Sequence, residues 1–286
     1  MQQSISLDIR QLDLKGVQTL VRWAREEGWN PGPFDADIFF HTDPEGFVGI
    51  FEGDEMLGGG SVVSYGGKLG FMGLFIIKPG YRNRGIGRKL WFHRRDQLIR
   101  RLDKGAPIGM DGVVDMQPFY ASGGFEIAFR DERYQRLGVE FQVDPRISEI
   151  TESDIPQVLQ YDQEVFGAPR QSFMKPWLRI PGAKAFQFVR ENHLEGFAVI
   201  RPVEKGYKIG PLFADNFDVA KALYQACLSA FVGEPIFLDI PVHHKEAKML
   251  VKSHDAAYES ECARMYYGSA PAFSPKVFGI TSFELG

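Results

Sequence analysis

The run Arg82-Asn83-Arg84-Gly85-Ile86-Gly87-Arg88-Lys89 crowds glycine and positive charge between two regular segments. Before it an apolar stretch ends at Ile77, and from Gly85 onward the residues recur at helical spacing. The first turn of a helix carries unpaired N–H groups and the positive end of the macrodipole. Glycine lets the backbone approach an anion closely and take conformations that other residues avoid. The combination suits a pyrophosphate. The spacing lacks the Gly-Lys-Ser/Thr ending of a P-loop and is not Gly-x-Gly-x-x-Gly, so neither common nucleotide motif is present.

Other groups could also do chemistry. Asp111 sits near the end of an expected strand and could act as a general base, orient a substrate, or cap the following loop. Tyr120 is either a functional phenol or a core aromatic at a sheet edge. His243 and His244 are adjacent and have no partner at i+4, so no metal site is expected. Cys227 and Cys262 fit no metal or disulfide spacing and read as small buried residues of a reducing compartment.

These groups need a scaffold of alternating strands and helices. A strand is expected over 4–11, a helix opening at Asp13, and a loop through "EEGWNPGPFD" with Gly28 as the helix stop. Residues 34–41 suggest a short helix, and 46–52 with 56–65 a hairpin. Residues 70–77 read as one central strand and 85–102 as a basic amphipathic helix whose charged face is mostly solvated. After a strand at 107–113 and a helix at 117–122, two successive strands are expected at 125–129 and 134–141.

The pattern then restarts. Residues 146–167 echo 8–28, and "IFLDIP" (236–241) echoes "IGMDGV" (108–113) with Asp239 in the place of Asp111. A diverged duplication is expected, with domains at 1–143 and 144–286. The fold class is mixed α/β (α+β), with a central mixed sheet in the first domain and a diverged copy in the second.

Composition agrees with a globular chain. Its 286 residues are 44% hydrophobic and 24% charged, with a net charge of −4 and a pI near 5.9. That balance points to no nucleic-acid or anionic-membrane partner. No leader-like N-terminus and no apolar run of membrane-spanning length is visible, so a cytoplasmic enzyme or binding protein is expected.

Arg82-Asn83-Arg84-Gly85-Ile86-Gly87 resembles the Arg/Gln-x-x-Gly-x-Gly/Ala motif of the GNAT acyl-CoA-dependent N-acetyltransferases. The strand before it and long helix after it match as well, and "FYASGGF" (119–125) resembles that family's Tyr-x-x-x-Gly-Phe element. Segments 27–47 and 210–215 are similar to the YitH-type subgroup, which pairs two domains of related fold. The resemblance implies that the backbone of residues 82–88, from Arg82 to Arg88, binds the pyrophosphate of coenzyme A. It implies that Leu74, Phe75, Ile76 and Ile77 pair with the pantetheine arm. Tyr120 is then expected to protonate the leaving thiolate, since the two groups have similar basicity.

The same resemblance places an acceptor wall after the first strand, where Trp29, Asn30, Asp35 and His41 lie. An acidic and aromatic wall would favour a cationic amine. The expected activity is acetyl transfer from acetyl-CoA to a primary amine of a small molecule, with no metal. A coenzyme-binding sensor without turnover is the alternative. In the second half, residues 207–223 lack the arginine–glycine loop, and Asp215, Asn216 and Asp218 crowd the helix start. Carboxylates there repel a pyrophosphate. One active site per chain is therefore expected, in a monomer or homodimer.

Overall fold

The computed structural model describes residues 7–286. The strand expected from Ser4 is described from Leu7 as β1 (Leu7–Gln11); its first residues lie outside the described part. Helix α1 (Leu14–Glu26) starts where the Asp13 carboxylate accepts the Gly16 N–H at 2.8 Å. Its residues Val17, Leu20, Val21 and Ala24 share one buried face. Next come α2 (Asp35–Thr42), β2 (Phe47–Glu52), β3 (Glu55–Ser61), β4 (Val63–Tyr65), β5 (Leu69–Phe71), β6 (Ile76–Ile77) and α3 (Ile86–Arg100). The first half closes with β7 (Ile108–Val113), α4 (Gln117–Ser122) and β8 (Phe125–Leu137).

The second half repeats this layout. It runs β9 (Ile147–Glu149), α5 (Ile155–Phe166), α6 (Gln171–Trp177), β10 (Lys184–Arg190), β11 (His193–Pro202) and β12 (Tyr207–Ala214). It ends with α7 (Phe217–Ala230), β13 (Pro235–Pro241), α8 (Lys245–Ser253), β14 (Ala257–Tyr267) and β15 (Val277–Gly279). No helix among the described residues is long and apolar enough to cross a membrane.

Three elements differ from the sequence reading. Residues 70–77 are not one strand: β5 pairs in parallel with β7, β6 pairs with β3, and residues 72–75 between them join neither sheet. Leu74, at φ 49°, turns the chain from one sheet to the other. The strand read over 56–65 likewise breaks at Val62 and changes sheets. Conversely, the two strands read at 125–129 and 134–141 are one strand, β8, ending at Leu137. Between them lies the charged run Arg130-Asp131-Glu132-Arg133, whose two arginines pair with Glu261 on β14 and Asp239 on β13, while Glu132 meets Lys248 of α8.

The sheets are β1-β2-β3-β6 and a long sheet ordered β4-β5-β7-β14-β8-β13-β12-β11-β10-β9, with β15 attached to β12. The order joins the two halves by strand exchange. β14 of the second half lies antiparallel between β7 and β8, and β8 of the first half lies between β14 and β13. The layout is two-fold about the facing pair Asp131 and Cys262. The core is shared too: Phe39 of α2 stacks on Phe173 and Trp177 of α6, in one cluster running from Leu12 to Leu285.

Candidate active site

Where β5 and β6 part company, a cavity of about 650 Å3 opens. Its wall includes Met72 to Ile77, the turn at Arg82, Asn83, Gly85 and Gly87, Arg88 of α3, and Tyr120 of α4. Residues 72–75 lie outside both ladders; the Met72 N–H is taken by the Gly109 carbonyl and both peptide groups of Gly73 by Ser61, which leaves those of Leu74 and Phe75 for a ligand laid along the split.

Arg94 holds the crotch of that split. It is 0% exposed, and its Nη2 donates to the carbonyls of Ser61 (2.6 Å) and Gly73 (2.7 Å). Gly60 makes room for it, since a Cβ there would overlap the guanidinium. Nε and Nη1 have no partner, and burial pulls the Arg94 pKa down to about 9. The sequence reading placed this residue on a solvated face; it is instead a buried clamp.

At the start of α3, Gly85 has φ 80° and Asn83 φ 61°, both in the left-handed region. Gly87 is different. A Cβ there would meet Ile77 and Phe75 at ordinary contact distances of 3.4 and 3.5 Å, so protein packing does not require glycine. The bare Cα leaves the helix N–H groups open to close approach from the cavity side.

Of the other loop residues, Arg82 lines the cavity, but its Nε donates to the Ile77 carbonyl (2.8 Å) and its Nη2 pairs with Glu27 at the end of α1. It fastens the turn to its surroundings. Arg84 lies over the Tyr81 ring and is not part of the wall, and the Ile86 side chain packs in the core with Leu57 and Leu90.

Tyr120 packs against Trp91, with centroids 4.7 Å apart, over the bare face of Gly112. Burial pushes its phenol up, with the Arg94 charge a smaller opposing influence, so it stays protonated. Asp111 also lines the cavity, with both oxygens held by Arg264 Nε and Nη2 at 2.7 and 2.9 Å.

Of the residues expected in the acceptor wall, only Trp29 reaches the cavity. The Asn30 Oδ1 accepts the Lys205 N–H (2.8 Å) and so ties the loop to the second half. Asp35 is buried and bonds Arg201 (2.7 Å) and the Gly32 N–H (2.8 Å). His41 is at the surface with Nδ1 on the Asp37 carbonyl (2.7 Å). The wall opposite the turn comes instead from Ser260, Glu261 and Cys262 of β14 and from Phe283 and Glu284. Cys262 is thus a cavity residue, where the sequence suggested a core one. Burial pushes its thiol up, and Asp111 adds to this.

Comparison with known proteins bears on both halves. Residues 14–125 match the profile of the acetyltransferase (GNAT) family, and residues 158–279 match that of an acetyltransferase (GNAT) domain. The chain belongs to the GNAT superfamily. It is 29% identical over 277 residues to holothin acyltransferase of Pseudoalteromonas sp. (strain SANK 73390), spanning 96% of this chain and 92% of that one. It is 22% identical over 230 residues to the uncharacterized N-acetyltransferase YitH of Bacillus subtilis (strain 168), spanning 77% and 78%. The crystal structure of a Pyrococcus horikoshii protein assigned to the acetyltransferases superposes with a TM-score of 0.83 at 25% identity, covering 98% and 96% of the two chains. This is an acyltransferase with two GNAT domains in tandem.

In the second GNAT domain the matching cleft is filled from within. β15 pairs with β12 (Leu212 to Gly279, Phe213 to Val277), and the Ile280 N–H donates to the Asp239 carbonyl of β13 at 3.0 Å. Chain thus lies where the first domain leaves its split open. The start of α7 is capped by its own Asn216, whose Oδ1 accepts the Val219 N–H (3.1 Å).

Proposed function

We propose that the GNAT chain transfers an acyl group, acetyl in the simplest case, from acyl-CoA to a primary amine of a small molecule by direct attack within a ternary complex. The observation that carries this is Gly87, a glycine that the protein's own packing does not demand, opening on the same cavity as Tyr120. The helix end at Gly85, Ile86, Gly87 and Arg88 supplies N–H groups to the pyrophosphate, with Asn83 shaping the turn and Arg82 anchoring it. Arg84 contributes long-range positive potential. Residues 74–77 offer main-chain groups to the pantetheine arm, and one N–H there polarises the thioester carbonyl.

Tyr120 protonates the departing sulfur. Asp111, with both oxygens bound to Arg264, is assigned to orienting the acceptor side rather than to taking its proton. Most of the acceleration comes from holding the two substrates together. On this reading the catalytic domain is 1–143, while 144–286 retains the fold without a coenzyme site and walls the acceptor end. A relative named for acylating holothin supports a small-molecule acceptor.

The test is thiol release from acetyl-CoA across polyamines, amino acids, aminoglycosides, arylalkylamines and peptide N-termini. Amine-dependent release is expected for at least one class. Coenzyme A binding without release for any of them would favour a sensor.

A further inference from the structure

Four carboxylates line the cavity: Glu27, Asp111, Glu261 and Glu284. Three are committed to arginines. Glu27 is held by Arg82, Asp111 by Arg264, and Glu261 by Arg130 at 2.8 Å. Glu284 forms no ion pair among the described residues. It is 6% exposed, and its Oε2 is buried without a hydrogen-bond partner. A buried carboxylate left unsatisfied is costly, and its position on a substrate-sized cavity suggests that a ligand satisfies it.

The backbone around Glu284 is fixed in place. Its carbonyl receives the Ser61 hydroxyl (3.4 Å) and lies where a Cβ of Gly73 would otherwise sit. The next residue is pinned twice, by Tyr65 Oη donating to the Leu285 carbonyl (2.7 Å) and by the Leu285 N–H donating to Ser282 Oγ (3.0 Å). Glu284 is therefore delivered to the split between β5 and β6 by the same segment whose β15 fills the other domain's cleft. The charged groups near it are Arg133, Asp111, Asp35 and Lys208. The first three are bound elsewhere, to Asp239, Arg264 and Arg201. Lys208 is buried, and burial lowers its pKa to about 8, so it is only a weak counter-charge.

We propose that Glu284 is the base that takes the acceptor's proton, and that the acceptor is a primary amine on an apolar body of aromatic size. The proposal rests on the acyl-CoA reading above. Phe283, Trp29, Met110, Met116 and Phe119 line the same cavity as the carboxylate, and they suit a ring better than a polyamine chain. In the reaction, Glu284 accepts one proton from the ammonium to give the free amine. The nitrogen bonds to the carbonyl carbon, the carbon–sulfur bond breaks with its electron pair on sulfur, and Tyr120 protonates that sulfur. The second nitrogen proton returns through solvent to the Tyr120 oxygen. One amide, one thiol and one proton on Glu284 result.

Phenethylamine is the probe, with acetyl-CoA as donor and thiol release as the readout. Calorimetric binding of coenzyme A to the wild-type chain tests the underlying reading separately. Where coenzyme binds, wild-type turnover of phenethylamine is expected, and Glu284→Gln is expected to lower kcat/KM by about a hundred-fold or more. Coenzyme affinity should stay within about two-fold. Glu284→Asp should recover part of the rate that Glu284→Gln loses, which a purely structural role would not produce. A Glu284→Gln enzyme within about three-fold of wild type overturns the proposal. So does a wild-type chain that binds coenzyme and leaves phenethylamine untouched, and so does loss of coenzyme binding in both variants, which would make Glu284 a scaffold residue.

Discussion

The Arg264 guanidinium on β14 grips both carboxylate oxygens of Asp111 on β7, at 2.7 and 2.9 Å, across 153 residues of sequence. Its counterpart is Arg133 on β8, which grips Asp239 on β13 at 2.6 and 2.8 Å. Each domain's aspartate is thus held by an arginine on the other domain's long strand. The exchange interlocks the two halves and puts β14 residues in the wall of the first domain's cavity.

Removing one member of such a buried pair leaves an uncompensated charge, which costs about 3–5 kcal/mol. Arg264→Met is therefore expected to lower unfolding free energy by that amount in a urea titration. Arg264→Met with Asp111→Leu should recover much of the loss. A single variant within about 1 kcal/mol of wild type would show that the pair does not hold the domains together.

Asp131 lies at the centre of the two-fold, buried, with neither carboxylate oxygen hydrogen-bonded. Burial first, and the Asp111 charge second, raise its pKa well above the ordinary value of 3.8. The folded state then holds a proton that the unfolded chain releases above that value. Its contribution to stability is complete at low pH and falls as pH rises toward the folded pKa, by about 1.4 kcal/mol per pH unit. Asp131→Asn removes this slope. Thermal melts should show the variant gaining on wild type as pH rises above about 4, and parallel curves would contradict the assignment.

Gly85 caps α3 at φ 80° with nothing near its Cα on the missing side-chain side. The cost of a side chain there is conformational, about 1–2 kcal/mol for a left-handed L-residue. Gly85→Ala should lose that much stability, and Gly85→Asn less, because asparagine tolerates this region.

Tyr120→Phe should lower the rate at saturating acceptor by about ten- to a hundred-fold, toward the low end of general acid effects. Coenzyme affinity should change little, since the ring still fills the space against Trp91. Because burial keeps the phenol protonated, no alkaline decline below about pH 10 should be traceable to it. An unchanged rate removes Tyr120 from the chemistry.

What could be read from the sequence was local. The glycine turn, the helix after it and the capped first helix are each set by neighbours along the chain, and they stand where expected. The strand exchange was not legible, because β14 and β8 meet across more than a hundred intervening residues and no local pattern marks the pairing. Residues 130–133 fell between two expected strands, and the acidic partners that let their arginines continue one strand lie far along the chain on β13 and β14. Arg94 stands at the spacing of the buried face, four residues after Leu90 and four before Leu98, but its charge marks it as a surface residue, and Gly60 opposite makes room for it. The acceptor wall was sought in residues 29–41, where acidity is dense. Asp35, however, is consumed by Arg201, and the carboxylate without a partner arrives on a segment some 240 residues later.

The proposed cradle at Gly87 takes one coenzyme A per chain. Calorimetric titration of coenzyme A tests it most directly, with wild type and Gly87→Ala side by side. One equivalent per chain is expected for wild type. In Gly87→Ala the affinity should fall by about ten-fold or more while thermal stability holds or rises, since alanine suits a helix better than glycine. Two equivalents per chain, or an affinity that Gly87→Ala leaves unchanged, would contradict the account.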